Sequence, residues 1–165
     1  MAGQSNFTPD EWRRVVASPI VTGIALAAAD SSGPWGLLKE TVAGGSALLD
    51  ALRNAEVGTF IKAVADDLAT PEGRKAAWIA VHMRFERVPF SDFKSSALAE
   101  LRAVAAIIDA KAPEDAVLFK SWLRDVAQVV AQSGVEGGFL GFGGVAVSDA
   151  EKTIMAEVSK ALNLA

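Results

Sequence analysis

Apolar residues in this chain recur at the pitch of an α-helix, and the segments in which they recur are bounded by helix-start signals. Between 37 and 54 the inward positions are Leu38, Thr41, Val42, Gly45, Leu48, Leu49 and Leu52, with Lys39, Ser46, Asp50 and Arg53 opposite. The pattern returns at Val57, Phe60, Ile61, Val64 and Leu68, where Lys62 and Asp66 sit four apart on the outer face. It returns at Leu98, Leu101, Val104, Ala105 and Ile108, and again at Phe119, Trp122, Leu123, Val126, Ala127 and Val130. The last such stripe is Ile154, Val158, Ala161 and Leu162.

The punctuation agrees with the period. Thr8, Pro9 and Glu11 form a capping box with proline at the first helical position. Thr70 and Pro71 repeat the cap-plus-proline start, and Ser148 with Glu151 forms a further capping box. Pro19 disfavours helix at Ser18, so a short helix from Pro9 is expected to stop there and a second to run to about Ala29. Further helices are expected over 37–54, 57–68, from Pro71 to before Pro89, over 91–110, from Pro113 to about Ser133 where Gly134 ends it, and from Ser148 onward. Gly23 and Ala27 add a small-residue face suited to close helix approach. The expectation is an all-α fold: a compact single-domain bundle of seven or eight helices over residues 1–165, with a Gly-rich loop before the last helix.

Composition fits that reading and excludes several chemistries. A chain of 165 residues buries enough surface to need no metal or disulfide staple. Its 51% hydrophobic content and mean hydropathy of +0.28 owe most to 31 alanines, the strongest helix formers. The longest apolar run, within 19–29, is too short to span a bilayer, and the opening twelve residues carry no basic stretch or apolar run of a secretory leader. With no cysteine there are no disulfides, thiolate metal ligands or cysteine nucleophiles, which fits a cytoplasmic protein. A pI near 5.0 argues against a nucleic-acid partner, despite the local excess of Arg74, Lys75, Arg84, Arg87 and Lys94 over Glu86 and Asp92.

Only one histidine and no tyrosine are present. A di-iron carboxylate bundle needs Glu-x-x-His pairs, and His82 has Ile79 three residues before it. His82 is the only imidazole for a haem or a Ser–His–Asp triad, and no G-x-S-x-G accompanies it. Asp66-Asp67 and Glu114-Asp115 are adjacent pairs, which do not share a helix face. No catalytic residue, metal ligand or cofactor is assigned.

Three places remain as binding candidates. The stretch "EGGFLGFGGVAVSDAE" packs five glycines around Phe139, Leu140 and Phe142. Its Gly141–Ala146 matches a permissive dinucleotide fingerprint but lacks the preceding strand. The rings either plug the bundle end or form an outward contact patch. The second place is Trp35, between glycines at a helix start. The third is "AAWIAVHMRFER", where Trp78, Val81, Phe85 and Val88 share a stripe with His82 at its edge, Glu86 four residues on and Arg84 nearby.

The segments "FTPDEW", "SPIVTGIALAAADSSGPWGLLKE" and "EGGFLGFGGVAVSDAE" together resemble a group of small uncharacterised all-helical bacterial proteins. These carry a TPEEW-like start, an AAADxSGxxGxxKE segment and an EGGFLGFGG-like loop. The resemblance covers the two ends and implies a helical fold and a bacterial cytoplasm, without catalytic residues. The expected function is non-enzymatic: binding an unidentified protein partner or a second copy of the chain. The alternative is a small-ligand carrier or unassigned enzyme with a pocket near Trp78 and His82.

Overall fold

The computed structural model describes residues 2–29, 58–136 and 149–164, and every regular element among them is helical. The helices are α1 (Pro9–Ala29), α2 (Thr59–Ala69), α3 (Pro71–Phe85), α4 (Phe93–Lys111), α5 (Ala116–Glu136) and α6 (Asp149–Ala161). Two 3₁₀ turns, Gln4–Asn6 and Phe90–Asp92, precede α1 and α4. Six α-helices among the described residues replace the seven or eight expected. The helix expected over 37–54 lies outside those residues, and the two expected at the N-terminal end are one.

Pro19 is the reason for that correction. It sits inside α1, where it removes the N–H that would bond the carbonyl four residues back, an effect that costs about 3 kcal/mol in an ordinary helix. The carbonyl left short is that of Val15. The buried Ser18 hydroxyl donates to it at 2.6 Å, so the missing backbone bond is replaced by the side chain one residue before the proline. Thr22, also buried, donates its hydroxyl to Ser18 O at 2.9 Å.

α1 is the hub and packs against all five other helices. Its residues from Val15 to Leu26 are buried at every position but Ile20, as befits a helix enclosed on all sides. Leu101, Val104 and Ile108 of α4, Phe119 and Leu123 of α5, and Ile154 and Val158 of α6 are sealed against it, each burial worth about 1.5–3 kcal/mol. A line of rings crosses the core: Phe7 stacks on Phe60 at 5.7 Å, Phe60 meets Phe119 edge-on at 5.2 Å, and Phe119 leans on Trp122 at 5.4 Å. Gly23 is buried, and an added Cβ there would meet no described atom within 4 Å.

The caps behave as their chemistry requires. Thr8 N–H donates to Glu11 Oε2 at 2.8 Å and Glu11 N–H donates to Thr8 Oγ1 at 3.2 Å, closing the capping box. Gly73 N–H donates to Thr70 Oγ1 at 2.9 Å, and Thr70 Oγ1 donates to Asp67 O at 2.8 Å, which sets the corner between α2 and α3. Residues Pro113–Asp115 form a turn, so α5 begins at Ala116 rather than at the proline, and it runs past Gly134 to Glu136. Charged ties join the helices: Lys120, nearly sealed, reaches Asp109 at 2.8 Å, and Lys94 reaches Glu157 at 3.2 Å.

Candidate functional sites on and around the third helix

Of the residues singled out in the sequence, Trp35, Phe139, Leu140 and Phe142 lie outside the described residues, as does the Ser148 cap. The other three are described and do not converge. Trp78 is half-buried and packs on the core. His82 is 75% exposed on the outside of α3, with Nε2 at 3.4 Å from Glu86 Oε2. Arg84 lies on another side, its Nε at 3.4 Å from Glu100 Oε2. The stripe of α3 that faces the core is Gly73, Ala77, Val81 and Phe85, which leaves His82 well outside it.

The basic excess at 73–94 is mostly satisfied within the protein. Arg84 turns to Glu100, Lys94 to Glu157, Arg87 to Glu86 at 3.9 Å, and Arg74 donates to Ala69 O at 3.2 Å. Lys75 alone of the five has no partner among the described residues. No phosphate-sized cluster of free cations forms from this segment.

The outer face of α3 carries an apolar strip instead. Ile79 and Met83, four residues apart and therefore stacked on one line of the helix, are 49% and 72% exposed. Phe90, in the turn that follows, is also exposed, with one side against Phe93 at 5.3 Å. Lys75 stands one turn before Ile79 and Glu86 about one turn after Met83, so the strip is basic at one end and acidic at the other.

A buried ion pair lies where α1, α3 and α4 meet. Glu100 is only 7% exposed, although it sits on the inward face of α4 beside Leu101. Arg14 binds it with both forks, Nε to Oε1 at 2.7 Å and Nη2 to Oε2 at 2.9 Å. These bonds hold the Arg14 pKa above its ordinary value, against the opposing pull of burial. With Arg84 at the rim, one carboxylate ties α1, α3 and α4 together. Its oxygens are committed, so the cluster is structural chemistry rather than a reactive site.

The described residues also form a cleft of about 320 Å³ where the start of α1 meets the α2–α3 corner. Phe7 and Trp12 are nearly sealed and form its floor, with Asp67, Glu72, Gly73 and Ala76 among its walls. Trp12 Nε1 donates to Asp67 Oδ2 at 2.7 Å across 55 residues of sequence. Gly73 is required here: a Cβ at this position would lie 1.9 Å from Asp67 O and 2.6 Å from its Oδ1. Neither Trp78 nor His82 lines the cleft.

Sequence reasoning missed Glu100 and the Trp12–Asp67 pair. The signal was present: both acids occupy inward registers, Glu100 three residues after Ala97 and Asp67 three after Val64, where a carboxylate must find a partner or stay unfolded from the core. No group of three or more His, Asp and Glu capable of holding a metal occurs among the described residues, and none of their helices is long and apolar enough to cross a membrane. No family model matches the chain, and no curated protein or solved structure matches it either.

Proposed function

We propose that this protein is a non-enzymatic helical module that works by self-association, pairing with a second copy through the outer face of α3. The observation that carries the reading is the strip Lys75–Ile79–Met83–Glu86. Its two apolar residues stand in water, and its charges are of opposite sign at the two ends. Eleven residues are close to three helical turns, so Lys75 and Glu86 fall on nearly one line, about 16 Å apart. A two-fold axis beside Val81 lays two α3 helices antiparallel. Ile79 then meets the partner copy's Met83, and Lys75 meets the partner copy's Glu86, with both pairs repeated by symmetry. A two-fold interface must be self-complementary in this way. An unrelated partner would have no reason to match both ends.

Phe139, Leu140 and Phe142, in the outward arrangement, would supply a second face for the same activity. The absence of cysteine and the resemblance to small bacterial helical proteins support a bacterial cytoplasmic setting. The test is sedimentation equilibrium over about a hundredfold range of protein concentration, since association follows mass action. The expected result is a reversible dimer that Met83→Glu abolishes. Lys75→Glu should weaken it, and adding Glu86→Lys should restore it. A monomer throughout, or a dimer indifferent to these changes, overturns the proposal.

A further inference from the structure

We infer that the cleft at the start of α1 binds a small organic cation, an ammonium or guanidinium group carried on an apolar body. Its volume of about 320 Å³ falls at the low end of the range for small-molecule sites. Its floor is aromatic: Phe7 and Trp12 stand 5.7 Å apart at an interplanar angle of 45°, with Val16 beside them. Rings of this kind attract a cation through their faces and an apolar body through burial. Its walls hold two carboxylates. Asp67 is pinned by the Trp12 indole on one oxygen, while its other oxygen lies toward the first turn of α3. Glu72, next along that turn, has no partner among the described residues. The one cation among the described residues lining the cleft, Arg13, is already paired with Asp10 at 2.9 Å. The uncompensated charge of the cleft is therefore negative.

An anion is the competing occupant, because two helix N-termini open nearby and such ends attract negative charge. Both ends are already capped. The Thr8–Glu11 capping box closes α1, Thr70 takes the Gly73 N–H of α3, and Asp10, Glu11 and Glu72 supply acid to the first turns. An anion would have to enter beside Asp67 and Glu72 with no free cation to meet it.

The experiment follows the Trp12 indole N–H by NMR, assigned with Trp12→Phe, while benzylamine, benzyl alcohol and benzoate are titrated separately. These probes share a ring and differ in charge. Benzylammonium should shift the Trp12 signal saturably and bind about tenfold or more tighter than the alcohol, a difference of about 1.4 kcal/mol. Glu72→Gln, at an exposed position that leaves the fold intact, should weaken benzylammonium several-fold and leave benzyl alcohol unchanged. Benzoate binding as well as the amine, equal binding of amine and alcohol, insensitivity to Glu72→Gln, or no shift with any probe each overturns the inference. Self-association through Ile79 and Met83 is read separately by sedimentation, since neither residue lines the cleft.

Discussion

Arg14→Met tests the most consequential polar contact in the bundle. The substitution keeps an unbranched apolar stem and removes both close bonds to Glu100, at 2.7 and 2.9 Å. Glu100 is left with 7% of its surface in water and with Arg84 at 3.4 Å, a half-exposed group whose attraction is screened. Stripping one partner from a buried ion pair costs about 3–5 kcal/mol. Arg14 is itself about a quarter exposed and Arg84 remains, so the low end applies: about 3 kcal/mol, or roughly 6–12 °C in Tm for a chain of this size. Urea unfolding followed by circular dichroism reads the loss as a shift in midpoint at unchanged slope. Adding Glu100→Leu removes the stranded charge and should return most of the stability, because a buried pair is often no better than well-packed apolar residues. The pH dependence has a definite sign. The folded-state pKa of Arg14 is raised, so its own contribution is complete below its ordinary value, is constant around neutrality and is lost only in strong alkali. A cost under about 1 kcal/mol, the range of a surface pair, would refute the assignment of Glu100 as a buried tie.

Two further outcomes follow from the α1 geometry. Ser18→Ala should cost about 1–2 kcal/mol by stranding the buried Val15 carbonyl, and Pro19→Ala in that background should recover the loss by restoring an N–H at position 19; thermal unfolding of the two single variants and the double reads this as a coupling. The Thr8 N–H, assisted by the charge of Lys111, holds the Glu11 pKa below its ordinary 4.5, so the stability it supplies is present above that value and is lost as pH falls through the lower folded one. Thermal melts from neutral pH into acid should show a shallower loss for Glu11→Gln than for wild type, and parallel curves would refute it.

The helical class was legible because it rests on periodicity, and the periodicity reports burial directly. Every inward position named for α2, α4 and α6 that falls among the described residues is buried, from Phe60 and Ile61 through Leu101 and Ile108 to Val158 and Leu162. The caps at Thr8 and Thr70 were legible for the same reason: a hydroxyl three residues before an orphan N–H is a local fact. Pro19 misled because the rule for the residue before proline is also local, while its exception depends on whether another donor reaches the freed carbonyl. Ser18 was in plain view, yet its hydroxyl is usable only because α1 is enclosed and competing water is absent.

The sites were less legible, and the reason is the distance over which they are assembled. His82 drew attention as a rare residue type, but rarity carries no geometry, and the core-facing stripe of Gly73, Ala77, Val81 and Phe85 turns it into solvent. The cleft depends on Trp12 meeting Asp67 across 55 residues, and on a glycine at 73 whose lack of a Cβ lets α3 lie against the Asp67 carbonyl. Read singly, Asp67 is a helix acid, Trp12 a core aromatic and Gly73 a weak helix former. Only the hub position of α1 brings its first turn to the α2–α3 corner and converts three ordinary residues into a walled acidic cleft. The same corner also fixes the direction of α3, so the turn that positions Glu72 in the cleft also aims Ile79 and Met83 away from the core. Gly73→Ala therefore perturbs both faces at once, whereas Glu72→Gln and Met83→Glu each touch only one.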